Sequence, residues 1–432
     1  MKKARAVLLL VLVALGVGCQ AEDILTYVQK PDPSFEWHKA YQTDTLLGPT
    51  CVLKMTSQTW HGIPWTHEIE IFKPKKCDHP QTALLFITFG KPGDAQSQIL
   101  KMLASSVGCP AAILYGIPNQ PLFDGKLEDD LIAHTFAKTV ETGDLTWPLL
   151  LPMTKAAVRA MDAVQAFSKS ELEGEITGFI VSGASKRGWT TWLTAAADPT
   201  RVKAIIPMVY DNLNLTAQMP HQIRCWGKYS DKIGDYTRRG LQQLLSTEQG
   251  KRLAAIVDPW SYRNRITMPK LIINGTNDPY WTQDALNLYW DGLKGPKSVL
   301  YIPNVGHGLE DLGRLVTTAG AFVYAALSES PLPNVTWKYT SAKDAERLDI
   351  TVDPTSAGAK LWVAKSKTLD FRKSEWRSTP MSATGTGFTA KVPLPTDGYA
   401  AVFGEVGVTM GGRPCTLSTQ IQILDSKGPV KP

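Results

Sequence analysis

Three polar residues, far apart in the chain, are of the types that together make a hydroxyl nucleophilic: Ser185, Asp278 and His307. A serine hydroxyl attacks a carbonyl only when a base takes its proton, and the base needs an acid to orient it. Ser185 closes the run Phe179-Ile-Val-Ser-Gly-Ala-Ser185, and a helical pattern, Gly188-Trp-Thr-Thr-Trp-Leu-Thr-Ala-Ala-Ala197, follows at once. Strand, sharp turn with a serine at its tip, then helix is the layout of a nucleophile elbow, whose helix aims its first N–H groups where an oxyanion can be held. Asp278 sits in Asn274-Gly-Thr-Asn-Asp278-Pro-Tyr-Trp281 and His307 in Pro303-Asn-Val-Gly-His307-Gly, two turn-rich segments that directly follow apolar runs. Of the seven histidines only His307 has this placement. Each residue also has a plainer use: Asp278 as a helix cap, His307 as a loop residue, and the serine segment as an ordinary strand–turn–helix. Arg187 departs from the elbow pattern, because a small residue is usual two places after the serine and here Gly188 comes one later. A bulky side chain there is expected to strain the turn.

An oxyanion hole at this site would combine the Lys186 N–H with the N–H of Phe89 or Gly90, in the loop after an earlier strand. The Lys186 side chain either steers an anionic or carbonyl-bearing substrate or is simply solvated. Trp226, Tyr229, Tyr280 and Trp281 are candidates to line an apolar substrate pocket, although packing alone accounts for aromatic residues equally well.

These residues need a sheet to bring them together. Cys51-Val-Leu-Lys-Met-Thr-Ser-Gln-Thr-Trp60 and His67-Glu-Ile-Glu-Ile-Phe72 alternate across His61-Gly-Ile-Pro-Trp65 and read as an antiparallel hairpin. Ala83–Thr88, Ala111–Tyr115, Ile176–Val181, Lys203–Val209, Pro269–Asn274 and Ser298–Ile302 are short apolar runs of the kind buried in parallel sheets. Helical patterns separate most of them, at about Ala95–Val107, Lys155–Phe167, Gly188–Ala197 and Leu312–Leu327. Glu22–Leu47 reads as a surface or helical lead-in, and 117–150 as a long connection containing the acidic turn Glu128-Asp-Asp130. An insertion over about 211–265 is expected to roof the site. Eight strands, the first two antiparallel, with a nucleophile after the fifth and a helical insertion after the sixth, are the plan of an α/β-hydrolase fold over 22–330. Pro331-Leu-Pro333 marks a boundary. The short alternating runs beyond it predict a small all-β, immunoglobulin-like sandwich over 334–427.

The 432 residues exceed what one core holds, which agrees with two domains. Met1-Lys-Lys-Ala-Arg5 followed by apolar Ala6–Val17 reads as a signal peptide, with cleavage after Ala21 (residues 1–21). Gly18-Cys19 also suits a lipoprotein signal with Cys19 lipidated. The expectation is export, to the periplasm or beyond, or attachment to the outer membrane, and no other stretch is long and apolar enough to span a bilayer. Loss of Lys2, Lys3 and Arg5 takes the formal charge from +6 to about +3, too mild for a nucleic-acid binder, and no basic run interleaves with aromatics. No pair among the six cysteines has metal-ligand spacing, and no metal or organic cofactor is implied by the sequence. Cys51 and Cys77 bracket the hairpin and form a candidate disulfide; buried free thiols are the other reading.

Gly183-Ala-Ser-Lys-Arg-Gly-Trp-Thr-Thr-Trp192, Asn274-Gly-Thr-Asn-Asp-Pro-Tyr-Trp281, Asn304-Val-Gly-His307 and Asp370-Phe-Arg-Lys-Ser-Glu-Trp376 resemble the PhoPQ-activated pathogenicity-related proteins, exported bacterial proteins with secreted relatives in amoebae. The resemblance runs from about 24 to 425. It implies a hydrolase domain with Ser185, Asp278 and His307 at the triad positions and a β-rich C-terminal region, and it names no substrate. The Ser-Lys-Arg-Gly elbow is also loosely similar to that of esterases acting on glucuronic acid esters.

Two functions from different classes follow. One is an exported serine hydrolase acting on a small-molecule or peptide ester or amide; as a peptidase it would need acids for a free amino terminus, for which Glu128, Asp129 and Asp130 are candidates and a solvated acidic turn the plainer reading. The other is a non-catalytic binding or signalling protein on a hydrolase scaffold. Oligomeric state has no signal in the sequence.

Overall fold

The computed structural model describes residues 23–172, 174–342, 345–352 and 357–432; the predicted leader and Cys19 lie outside them. Nine strands make the first part of the main sheet: β1 (Glu36–Asp44), β2 (Pro49–Trp60), β3 (Ile63–Phe72), β4 (Thr82–Ile87), β5 (Ala111–Leu114), β6 (Gly178–Ala184), β7 (Val202–Met208), β8 (Lys270–Gly275) and β9 (Lys297–Ile302). They lie in the order β1-β2-β3-β5-β4-β6-β7-β8-β9. The first three and the β3–β5 pair run antiparallel, and β5 through β9 run parallel. Crossover helices put a layer on each face. The strand side chains therefore divide by parity: Ala83, Leu85 and Ile87 enter the core shared with α4 (Leu150–Glu171) and α5 (Lys186–Ala197). Leu84 and Phe86 enter the opposite core, with α2 (Ala95–Val107) and α10 (Leu312–Leu327). Burial on both faces is why these strands are continuous apolar runs.

The helices not yet placed are α1 (Ile24–Gln29), α3 (Glu128–Thr142), α6 (Leu215–Trp226), α7 (Gly234–Thr237), α8 (Leu241–Leu244) and α9 (Glu248–Val257); the last four belong to the insertion. Two segments differ from expectation. The lead-in contains α1 and the edge strand β1, whose mostly exposed, polar residues show no alternation for a sequence reading to find. The long connection contains α3, whose acidic first turn suits the positive end of a helix.

The C-terminal β region comprises β10 (Thr336–Ala342), β11 (Ala345–Thr351), β12 (Ala359–Ser366), β13 (Arg377–Pro380), β14 (Ser382–Thr384), β15 (Gly387–Pro393), β16 (Tyr399–Met410), β17 (Arg413–Ser418), β18 (Gln422–Asp425) and β19 (Gly428–Val430). One sheet runs β10-β11-β15-β14. The other strands continue the main sheet, in the order β9-β17-β16-β12-β13 with β18 and β19 attached. Ser418 lies opposite Val299, and its hydroxyl accepts from the Tyr301 N–H at 3.0 Å. The run Leu417–Ile423, read as one strand, breaks between β17 and β18.

The predicted Cys51–Cys77 disulfide is absent, and the five described cysteines are free. Cys51 turns into the core with Leu53 and Met55, whereas Cys77 lies beyond β3 beside the turn in which His79 N–H bonds the Gly108 carbonyl. Among the described residues, no helix is long and apolar enough to cross a membrane.

Candidate active site

Ser185 stands between β6 and α5 at φ 59°, ψ −127°, a backbone that side-chain-bearing residues rarely adopt. Two glycines permit it. A Cβ on Gly183 would lie 2.7 Å from the Arg187 carbonyl oxygen, and one on Gly188 would lie 2.7 Å from that of Met208. Helix α5 starts at Lys186, so its first N–H groups, beside the serine, have no intrahelical acceptor.

Arg187 leaves the turn unobstructed because its guanidinium reaches away. Its Nε donates to the Ile117 carbonyl at 2.6 Å, and its fork donates to both oxygens of Glu128 at 2.6 Å each. The Lys186 ammonium is buried rather than solvated, 2.8 Å from Glu128 and 3.1 Å from Asp129. Asp129 also accepts from Tyr236 at 3.1 Å, and Asp130 pairs with Arg239 at 2.5 Å. The acidic turn is thus a set of counter-charges, which corrects its reading as a solvated turn. Burial opposes ionisation of Glu128, yet Arg187 and Lys186 hold its carboxyl down to about 2.

The Ser185 hydroxyl lies 2.9 Å from His307 Nε2, and His307 Nδ1 lies 2.7 Å from Asp278 Oδ2. With Nδ1 protonated toward the buried carboxylate, Nε2 is left to accept from the serine. The other Asp278 oxygen accepts from the Tyr280 N–H at 2.8 Å, and the Tyr280 ring stacks on His307 at 4.1 Å. The two loops are tied to each other. Asn277 N–H bonds the Val305 carbonyl, and a Cβ on Gly275 would stand 2.3 Å from the Gly306 oxygen.

Both loops also grip the C-terminal region. The Asn277 side chain donates to the carbonyls of Arg372 and Ser374, at 3.2 and 2.8 Å. Asn304 donates to the Trp376 carbonyl at 2.9 Å and accepts its N–H at 2.7 Å. The Asp370–Trp376 motif therefore borders the acid and histidine loops.

Ser185 and Lys186 lie in the wall of a cavity of about 90 Å³. Trp189, Tyr210, Tyr280 and Trp281 are in its lining, to which the insertion adds Met219 and Leu253. Of the four aromatic candidates, Tyr280 and Trp281 line this cavity. Trp226 and Tyr229 are not among the lining residues. Trp226 lies two turns beyond Met219 on α6, about 10 Å along the axis, and carries the Arg372 guanidinium on its ring at 4.0 Å; Tyr229 packs against the core. Trp189, Tyr210 and Leu253 escaped sequence reading because nothing local separates them from core residues.

Phe89 is half exposed, with its ring 5.8 Å from the Arg187 guanidinium. The side-chain space at Gly90 is filled by the Asp94 carboxylate, which caps α2. Gly93 N–H donates to Glu70, itself bonded to Lys101 at 2.5 Å and Tyr115 at 2.7 Å, so this loop is held from beneath. Among the described residues, one group is of metal-ligand type: His221, Cys225 and Asp284, between α6 and the segment after β8.

A parallel sheet in this strand order, with a strained serine after β6 and a histidine and aspartate hydrogen-bonded in series to it, defines an α/β-hydrolase fold. Residues 24–372 match the family described as PhoPQ-activated pathogenicity-related protein, and the chain belongs to that family. It is 32% identical to the autocrine proliferation repressor protein A of Dictyostelium discoideum over 450 residues, which span 94% of this chain and 89% of that protein. Among solved structures it is similar to an acetyl xylan esterase from Paenibacillus sp. R4 (16% identity, 68% of this chain and 91% of that one, TM-score 0.47). It is also similar to an S-formylglutathione hydrolase from Agrobacterium tumefaciens (12% identity, 68% and 100%, TM-score 0.45).

Proposed function

We propose that the chain is an exported serine hydrolase that cleaves an ester or amide through an acyl-enzyme. Ser185 attacks the carbonyl carbon, His307 takes the hydroxyl proton and returns it to the leaving group, and Asp278 holds the imidazole in the required tautomer. The developing oxyanion is met by the Lys186 N–H and by an N–H of Phe89 or Gly90. The observation that carries this reading is the unbroken hydrogen-bond series from Ser185 through His307 to Asp278, ending on a serine in strained backbone geometry. The apolar cavity beside Ser185 favours an uncharged acyl group. Glu128 and Asp129 are already neutralised by Lys186 and Arg187, which weighs against their capturing a free amine and so favours ester over aminopeptidase substrates. Residues 1–21 direct export, and 334–427 form an immunoglobulin-like sandwich.

A second reading, a binding or signalling protein, is favoured by the similarity to the amoebal autocrine proliferation repressor. Fluorophosphonate labelling of the mature chain beside Ser185→Ala separates the two. Labelling that vanishes in the variant supports the hydrolase, and aryl esters against dipeptide-proline amides then sort esterase from peptidase. A folded wild type that does not label would overturn the catalytic reading.

A further inference from the structure

His221 and Cys225 are four residues apart on α6, so their side chains share one face of the helix. Asp284, beyond β8, meets them there. His221 Nε2 lies 2.8 Å from Asp284 Oδ1 and 3.5 Å from Cys225 Sγ, and one ligand atom from each residue falls within 4.8 Å of the others. All three residues are more than nine-tenths buried. Two features set this apart from an ordinary histidine–aspartate hydrogen bond. One imidazole meets both groups: the carboxylate bonds Nε2, and the sulfur lies 3.5 Å from Nε2 and 3.9 Å from Nδ1. The carboxylate is also short of positive charge. Among the described residues Asp284 has no lysine or arginine partner, and neither has Asp211, which is buried within its electrostatic reach; burial, with Asp278 and Asp284 adding to it, pushes Asp211 up to about 7. Thr282 and Gln283, beside Asp284, carry buried polar atoms that no protein group satisfies.

We propose that His221 Nε2, Cys225 Sγ and Asp284 Oδ1 bind a divalent transition metal, with zinc the preferred ion. Nitrogen, thiolate sulfur and carboxylate oxygen together suit borderline-soft Zn²⁺ and exclude calcium and magnesium, which take oxygen ligands. Tetrahedral zinc with bonds of about 2.0–2.3 Å spaces its ligand atoms by roughly 3.3–3.6 Å. The nitrogen–sulfur separation already has that size, and the nitrogen–oxygen pair opens by about half an ångström. On binding, the Cys225 thiol proton leaves to solvent, the His221 proton that faces Asp284 from Nε2 is replaced by one on Nδ1, and water takes the fourth position. The metal acts as a brace. Gln222, next to His221, donates to the Tyr280 carbonyl at 2.9 Å, so the site ties the roofing insertion to the loop that carries Asp278.

The mature chain, purified without chelator, is analysed for metal by mass spectrometry, then stripped and titrated with Zn²⁺ or Co²⁺. The expected result is one metal per chain, a thiolate-to-cobalt charge-transfer band in the near ultraviolet, and a higher melting temperature with zinc than without. Cys225→Ser is expected to lose the band and His221→Gln to weaken metal binding at least tenfold. Should either variant fail to fold, the stoichiometry and band of the wild type remain decisive. A folded wild type that takes up no stoichiometric Zn²⁺ or Co²⁺, or a band that survives in Cys225→Ser, would overturn the proposal, and neither result bears on Ser185 labelling.

Discussion

Replacing Glu128 by Gln tests how the nucleophile is held. Among the described residues, Glu128 alone among the acids meets both cations of the elbow, receiving the Arg187 fork and the Lys186 ammonium. The Lys186 and Arg187 side chains are 8% and 11% exposed, so once the carboxylate is neutralised two cations stay buried with too little counter-charge. The carboxyl is depressed from its ordinary 4.5 to about 2, which converts to roughly 3.5 kcal/mol at about 1.4 kcal/mol per unit. The Glu128 side chain is 36% exposed, and screening reduces the figure to about 2 kcal/mol. At about 2 cal/mol/K of unfolding entropy per residue, a chain of this length loses about 2–3 °C in melting temperature. Because the folded carboxyl is depressed, its contribution is complete above 4.5 and fades as pH falls toward about 2. The wild-type and Glu128→Gln melting temperatures are therefore expected to differ at pH 7 and to converge between those limits. A double-mutant cycle with Arg187→Met isolates the pair and is expected to give a coupling of about 2 kcal/mol. Coupling near zero, or a pH-independent difference, would refute the assignment of the fork as the anchor of α5.

Ser185→Gly is expected to abolish fluorophosphonate labelling and to stabilise the fold by about 1 kcal/mol, because glycine alone relaxes the φ of 59°; calorimetry checks it, with Ser185→Ala giving no such gain. Asn304→Ala leaves the Trp376 N–H and carbonyl unpaired. It should cost about 1–3 kcal/mol and lower kcat on an aryl ester about tenfold with KM little changed, since it loosens the histidine loop without touching the cavity; steady-state kinetics and urea unfolding read both. Leu253→Trp fills part of the cavity. The kcat/KM ratio of butyrate to acetate aryl esters is expected to fall about tenfold, the scale of an apolar-pocket mismatch.

The fold was legible where burial on both faces wrote itself as apolar runs, as in Leu84–Ile87 and Leu271–Ile273. It was illegible where the element is an exposed edge, as in β1, or where a polar helix face is answered by distant charges, as in α3. That Ser185, Asp278 and His307 would meet could be read because each follows a strand end, where a parallel sheet presents its loops. Arg187 could not be judged from spacing, since its partner Glu128 is 59 positions away. The metal-ligand group was hidden for the same reason: His221 and Cys225 are local, but Asp284 arrives from another loop, and cysteine spacing alone had pointed away from any metal.

The C-terminal β region acquires a structural reason from the same contacts. The serine between β6 and α5 is fixed by its own helix, but the acid and histidine sit on loops after β8 and β9, toward the far end of the parallel sheet. In this chain β9 is not an edge. β17 lies against it, and the Asp370–Trp376 segment reaches over to Asn277 and Asn304, one and three residues from Asp278 and His307. Arg372 extends the same segment onto Trp226 of the insertion. One stretch of the β region thus touches the acid loop, the histidine loop and the roof, while Glu128 pairs with the two cations that follow Ser185.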